Sequence, residues 1–245
     1  MFSFFEKKRY LADQLKGLVD IHNHILPGID DGAKNADESL ALIKGLGEFG
    51  IERFIATPHI MNHYFENTND SIVAAYEHLK PTISVMENTP KISLAAEHMI
   101  DDNFEHLLEQ DAIMPMGKEH LLVEMSYLQP PINFDQAIAK VQQKGLFPIL
   151  AHPERYNFLH GHYHKYVKMK QDGIRFQLNL LSIGGYYGKG VQKTAFKLIE
   201  DGYIDFVGTD THHMGHVEGL KKVTLPEKQI TEINKLVNKT IELFY

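Results

Sequence analysis

Not one of the 245 residues is cysteine. That excludes disulfides, thiolate-based zinc ribbons and cysteine nucleophiles together. No apolar run approaches the ~20 residues that a membrane-spanning helix needs, and neither an internal repeat nor a low-complexity linker divides the chain. Basic residues are in deficit: 25 Lys and Arg face 32 Asp and Glu, a formal charge of -7. A surface that tracks nucleic-acid phosphates would be basic instead. The opening stretch, MFSFFEKKRYLADQLKG, places its apolar residues before its basic ones and has no cleavable apolar core. No signal peptide is therefore expected, and a cytoplasmic location is. Phe2, Phe4 and Phe5 are expected to cap the floor of the domain rather than to meet a membrane or a partner.

What the chain does have is a rhythm. Hydrophobic residues make up 43% of it, enough for a substantial core. Short runs of strand-like composition, at 18–21, 53–57, 92–96, 121–123, 147–151, 174–179 and 204–209, alternate with helical patterns. Asn35 and Glu38 make a helix start ahead of the stripe Leu42, Leu46 and Phe49, and Gly50 is a stop. Further helices are expected over 71–86, 104–109, 134–144, 163–171, 191–200 and 227–244, with Pro81 kinking or ending the first of these. Seven strand–helix units predict a single α/β domain over 18–245, a distorted (βα)7 TIM-like barrel with its helices outside. Residues 1–17 are an N-terminal extension, expected to form a capping helix.

The stretch VDIHNHILPGIDDGAK, 19–34, opens as a strand and sets His22 and His24 two residues apart. Alternate side chains of a strand share a face, so both imidazoles leave the sheet together. The turn PGIDDG then brings Asp30 and Asp31 back over that strand end. A lone His-x-His is weak by itself. Position strengthens it. The other strands run into His59, Glu97, Glu124, His152 and the pair Asp210/His212, and only the sixth ends differently, at Asn179. In a parallel barrel these ends open on one face, so strands far apart in sequence deliver imidazoles and carboxylates to one spot. Hard carboxylates mixed with imidazoles, without sulfur, suit manganese, iron, zinc or magnesium. Clustered divalent ions acidify a bound water for in-line attack on phosphorus and neutralise phosphoryl oxygens. Arg155, three residues past His152, is placed to fork onto two phosphate oxygens. Blander roles are expected elsewhere. His160, His162 and His164 alternate in a polar loop and read as solvated, while His63 and His98 either support ligands or simply pack. Tyr186-Tyr187, beside Gly184, Gly185 and Gly188, is either a lip over the site or a plain loop.

The blocks DIHNH at 20–24, ATPH at 56–59, AAE at 95–97, VE at 123–124, AHPER at 151–155 and TDTH at 209–212 resemble the PHP superfamily. This is the polymerase and histidinol phosphatase group of metal-dependent phosphoesterases. HILPGIDDGAK and AHPERY further resemble its bacterial capsular-polysaccharide protein tyrosine phosphatases, a likeness that runs from about Val19 to the end of the barrel. The resemblance implies the PHP fold and a cluster of up to three divalent ions, manganese favoured. It assigns His22, His24, Glu97 and Asp210 to one ion. Glu97 would bridge to a second with Glu124 and His152. His59, His212 and a carboxylate of the IDDG turn, Asp31 ahead of Asp30, would hold the third. Arg155, Asp31 and His212 are the implied catalytic residues. The implied activity is hydrolysis of phosphotyrosine on a tyrosine autokinase linked to capsule or exopolysaccharide synthesis, with the enzyme cytoplasmic and recruited by that kinase to the inner membrane face. A phenolate leaving group, of pKa about 10, needs less protonation than a serine alkoxide. A small-molecule phosphatase of the histidinol phosphatase kind and a non-catalytic metal-binding regulatory module are the alternatives. In one respect the chain departs from the resemblance, which leads to a second arginine just after His212. Here 213–217 read HMGHV, leaving His216 or Lys189 for that place.

Overall fold

The computed structural model describes residues 8–245. The strands among them are β1 (Lys8–Tyr10), β2 (Val19–Asp20), β3 (Arg53–Ala56), β4 (His59–Ile60), β5 (Lys91–Leu94) and β6 (Glu97–Met99). They continue with β7 (His120–Glu124), β8 (Phe147–Ala151), β9 (Arg175–Asn179), β10 (Phe206–Gly208) and β11 (Thr224–Pro226). All seven expected strands are present, and from β2 to β10 every pairing is parallel. Helices carry the chain back between them, which parallel pairing requires. The result is one mixed α/β domain.

The seven strands are not continuous. The second divides into β3 and β4 around Thr57-Pro58, and the third into β5 and β6 around Ala95-Ala96. β2, β3 and β5 form a three-stranded sheet, while β4 ends a six-stranded one of order β10-β9-β8-β7-β6-β4. Pro58 supplies a reason, because it has no N–H for the ladder, although its carbonyl accepts from Glu97 N at 3.0 Å. An isolated parallel bridge from Asn23 to Thr211 joins the first unit to the last. Asp210 N donating to His22 O (2.7 Å) and His24 N donating to Thr211 O (3.0 Å) flank it.

β2 is only two residues long, so His22 and His24 lie on an irregular segment after it rather than on a strand. Asp20 and Asn23 explain the interruption. The Asp20 carboxylate accepts from Thr209 N (2.9 Å) and Thr209 Oγ1 (2.6 Å), across to the last strand. Asn23 Nδ2 donates to the Asp20 and Ile55 carbonyls at 3.0 and 3.1 Å. Side chains thus replace ladder bonds where the chain must swing its imidazoles inward.

Beneath the site lies an apolar floor that includes Val19, Ile55, Ala95, Leu122, Ile149 and Phe206, all buried. The two-residue period of a strand carries this inner face upward. Ala95 is followed on it by Glu97, Leu122 by Glu124, and Phe206 by Gly208 and then Asp210. Alternate residues such as Leu121, Val123, Leu150 and Phe176 pack outward under the helices.

Helix Ala36–Gly47 starts as expected, with Asn35 Oδ1 accepting from Glu38 N at 3.0 Å, while Glu38 reaches back to Lys34 N. Helix Glu227–Phe244 buries Ile230, Ile233 and Val237, as its stripe predicts. Pro81 does not end its helix, Asn69–Ser84, but lies inside its last turn. Helices Asn157–His160, Leu180–Ile183 and Met214–Lys222 are not predicted by the pattern.

The N-terminal extension is also different. No capping helix forms over its described part: β1 pairs antiparallel with β11, and a 3-10 turn, Ala12–Gln14, follows. Leu11 and Leu15 are fully buried, so the core begins well before residue 18. Phe2, Phe4 and Phe5 lie outside the described residues.

Closure between the first and last units leaves no room at Gly208, where an added Cβ would stand 2.8 Å from His22 Cβ and 2.9 Å from Gln177 Nε2. Gly208→Ala should therefore destabilise the fold by about 1–3 kcal/mol through overpacking. Gly47→Ala is the control, since its methyl meets nothing within 4 Å and alanine favours a helix. Urea unfolding of both variants decides this: unchanged stability in Gly208→Ala would mean that the two units are not in contact there.

Candidate metal centre

All nine side chains marked as metal-ligating in the sequence converge. They fall into overlapping groups whose donor atoms lie within 4.8 Å of one another: His24, Asp31, His59 and His212; His22, Glu97 and His152; His22, His24 and Asp210; His59, Glu97 and Glu124. Glu97 is the hub. Its Oε2 lies 3.1 Å from His22 Nε2, 3.5 Å from His24 Nε2 and 3.2 Å from His59 Nδ1, while Oε1 lies 3.1 Å from His152 Nε2. Asp210 Oδ1 stands 3.4 Å from both His22 Nε2 and His24 Nε2. Asp31 Oδ1 faces His59 Nε2 (3.5 Å) and His212 Nε2 (3.3 Å) at the open end.

The grouping departs from the expected one in one place. Glu124 sits 2.9 Å from His59 Nδ1, so His59 faces both the Glu97/Glu124 pair and the Asp31/His212 pair. His152 joins Glu97 and His22 instead. The IDDG turn resolves into two roles. Asp31 is half exposed and presents its oxygen to the cluster, whereas buried Asp30 accepts from His24 Nδ1 at 2.8 Å and from His59 N at 3.2 Å.

The donor set fits divalent cations. His22 Nδ1 donates to Gln177 Oε1 at 2.7 Å, and His24 Nδ1 to Asp30, which leaves each Nε2 lone pair aimed at the carboxylates. Those Nε2 atoms, His59 Nδ1, Glu97 Oε2 and Glu124 Oε1 are buried without a hydrogen-bond partner. Buried polar atoms rarely go unpaired, and so many converging on one point mark a place for cations. Titration says the same. Burial raises the Glu97 carboxyl, but His22 and His59 outweigh it and hold it well below the usual carboxylate range. Burial lowers His59, but Glu124 and Glu97 push it well above its ordinary value. The protein by itself would have to meet these carboxylates with protons, a task that metal ions take over.

Around this core are residues that sequence reasoning missed. Asn179, noted only as the odd strand end, donates from Nδ2 to Asp210 Oδ2 at 2.8 Å, which leaves Asp210 Oδ1 facing His22 and His24. Arg155 Nη1 donates to the same Oδ2 at 2.5 Å, and its guanidinium packs on Tyr127 (4.8 Å) and Tyr187 (4.1 Å). Tyr187 is therefore a wall of the site rather than part of a plain loop. Phe65 stacks on His59 and Tyr127 on His152. Gln177 had a signal, two residues before Asn179 on the same strand face. Tyr187 had one too, in the glycines around it, whereas Phe65 and Tyr127 had none, because they come from loops without such a mark.

Other histidines have local duties. His98 donates to Leu122 O and accepts from Met114 N, a packed core residue that burial pushes down to about 4. His160 and His162 donate to the carbonyls of Glu154 and Phe158. His63 is exposed, against Asn62. His216 accepts from His212 N at 3.2 Å, and burial, with His213 and His212 near, takes it down to about 4. It is thus neutral and engaged. Lys189 is exposed and does not line the small pocket formed by Arg155, Tyr187, His213 and their neighbours. His216, unlike Lys189, does line that pocket beside Arg155. The cluster opens onto a cleft of about 1040 Å³ lined by Asp31, His59, Glu124, His152, Arg155 and His212 on its inner side.

Comparison with known proteins agrees with this geometry. Residues 18–224 match the family described as capsular polysaccharide synthesis, CpsB/CapC. Tyrosine-protein phosphatase YwqE of Bacillus subtilis is 28% identical over 199 residues, covering 80% of this chain and 78% of that protein. The putative tyrosine-protein phosphatase CapC of Staphylococcus aureus is 26% identical over 196 residues, covering 80% and 77%. A crystal structure from work on YwqE of Bacillus subtilis and CpsB of Streptococcus pneumoniae, described as unique metal-dependent tyrosine phosphatases, superposes with a TM-score of 0.83. That match has 25% identity and spans 93% of this chain and 94% of that one. With its donor cluster in place and the match spanning most of its length, the chain belongs to the CpsB/CapC family of capsular polysaccharide synthesis.

Proposed function

We propose that this protein is a metal-dependent protein tyrosine phosphatase, removing phosphate from a bacterial tyrosine autokinase of capsule or exopolysaccharide synthesis. The observation that carries the reading is the largely buried cluster of nine candidate ligands that opens, beside Arg155, onto a broad cleft. Relatives named as tyrosine-protein phosphatases support the substrate class. A distorted (βα)7 barrel of the PHP kind, formed by 18–245, is the architecture that goes with it. The location that goes with it is cytoplasmic, at the membrane face where the kinase partner works. No helix among the described residues is long and apolar enough to cross a membrane.

His22, His24 and Asp210 would hold one ion and His24, Asp31, His59 and His212 another, while Glu97, with His22 and His152 on one side and His59 and Glu124 on the other, would border a third. Manganese is favoured. Such ions, when bound, supply Lewis-acid charge to the phosphoryl oxygens and bring the pKa of a coordinated water toward neutrality. The protein's own residues bind and orient. One Arg155 nitrogen is committed to Asp210, leaving other N–H groups for two phosphoryl oxygens. Tyr127 and Tyr187 hold the guanidinium in place. Phe65 and Tyr127 give the aryl group apolar walls and thin the water around the scissile bond.

The test is a parallel assay, with Mn²⁺, of a phosphotyrosyl peptide, its phosphoseryl analogue and histidinol phosphate. The phosphotyrosyl peptide should be preferred, chelation should abolish activity, Mn²⁺ should restore it, and a thiol reagent should do nothing to a chain without cysteine. Histidinol phosphate far ahead of both peptides would make this a metabolite enzyme, and no hydrolysis by the metal-loaded protein would leave a regulatory module.

Arg155→Ala should keep its metal content, because Asn179 still holds Asp210. Catalytic efficiency should fall about 10- to 150-fold, the equivalent of a lost charge-assisted contact of about 1.5–3 kcal/mol. Arg155→Lys should recover only part, since a point charge is not a fork. Wild-type kinetics in Arg155→Ala would rule the clamp out.

A further inference from the structure

The cleft extends well beyond the metal centre. At about 1040 Å³ it matches the upper end of what whole drug-sized ligands occupy, roughly 300–1,000 Å³. A single phosphotyrosine side chain does not fill it. Its outer wall is built by three segments, one carrying Tyr64 and Phe65, a second running from Ser126 to Asn133 and a third from Met99 to Asp102. Here the surface is unusually apolar. Ile132 is 104% exposed, Leu128 89% and Tyr64 78%, and all three line this cleft. Isolated exposed apolar residues need no explanation, but a group of them on the rim of a site marks a contact surface.

The second loop is braced. Met125 N donates to the buried Tyr156 hydroxyl at 3.0 Å at its start, and Asn133 Nδ2 donates to Glu105 Oε1 at 2.7 Å at its end. Pro130-Pro131 stiffens the span between, so Leu128 and Ile132 are presented at little entropic cost. Charge narrows the occupant. The carboxylates on the outer wall, Asp101 and Asp102, accept among the described residues only from neutral groups, Asn62 and Asn103. An acidic segment would meet uncompensated like charge there.

We propose that Tyr64, Leu128 and Ile132 form a subsite for an apolar or aromatic residue next to the phosphotyrosine, making the preferred substrate a phosphotyrosyl segment with apolar rather than acidic neighbours. The proposal rests on the phosphatase reading and names the substrate that this site selects. The cleft is continuous from Arg155 to this lip, so one extended peptide reaches both.

The test uses the metal-loaded full chain and three phosphotyrosyl peptides that differ only in the flanking residues: leucine, serine or aspartate. Free phosphotyrosine is the reference. The leucine peptide should exceed the serine peptide in kcat/KM by about 10-fold, the lower end for an apolar contact in a specificity pocket, with the aspartate peptide poorest. Leu128→Ser and Ile132→Ser, both exposed and neither among the candidate ligands, should erase that preference while leaving free phosphotyrosine turnover unchanged. Equal rates on all three peptides overturn the proposal, as does a preference that survives both substitutions. Flank-indifferent kinetics with loss of sedimentation on anionic vesicles in the two variants would assign the lip to lipid, and also overturn it. Failure to hydrolyse even free phosphotyrosine would fall on the phosphatase reading instead.

Discussion

Four carboxylates and five imidazoles within reach of one another, seven of the nine buried, are the constraint on which this structure depends. Taking ionised groups out of water costs several kcal/mol each unless an opposite charge meets them. Without metal the imidazoles would have to meet part of it by holding protons, the direction in which the neighbouring carboxylates push His24 and His59 against a burial that works the other way. Divalent cations meet it more completely. The apolar floor below the cluster makes the requirement sharper, because it keeps the water that would otherwise solvate Glu97 away from it.

Much of the surrounding architecture serves to hold these groups against their own repulsion. Gln177 and Asp30 each accept from a histidine and so fix its tautomer. Asn179 and Arg155 take one oxygen of Asp210 and turn the other toward His22 and His24. Asp20, clamped on Thr209, joins the first unit to the last at the level where both deliver ligands. Arg155 belongs to this frame and to the cleft at once. The group that would bind phosphate is therefore positioned by a member of the metal cluster.

The ligands were legible because they obey a simple rule. Ala95 to Glu97 and Leu122 to Glu124 are steps along an inward face, and a period of two is visible without any structure. The overall order of strands and helices was legible for the same reason. What broke the rule was not. The splitting of the second strand at Pro58 leaves a continuous apolar pattern on either side, so the sheet change is invisible in sequence. β1 and β11 pair over more than two hundred positions, and neither is amphipathic enough to announce itself. Helix Met214–Lys222 carries Gly215 and Gly219 and only a thin stripe, Val217 and Leu220, so tertiary packing decides it. Tyr127 and Tyr187 act from loops, where no periodicity points to them. The extension read as separate up to residue 17 proved to be core from Leu11 onward, because a short stretch with only two leucines has too little pattern to reveal its burial.

Glu97 offers the most direct test, since both of its oxygens face the cluster and four imidazoles surround it. The measurement is metal content per folded chain, by elemental analysis of wild type and Glu97→Gln after equilibration with Mn²⁺, alongside turnover of a phosphotyrosyl peptide. The account predicts that the variant folds, loses bound metal and loses about 100-fold or more in turnover, the scale of a removed electrostatic element. A Glu97→Gln protein with its full complement of metal and undiminished turnover would contradict it.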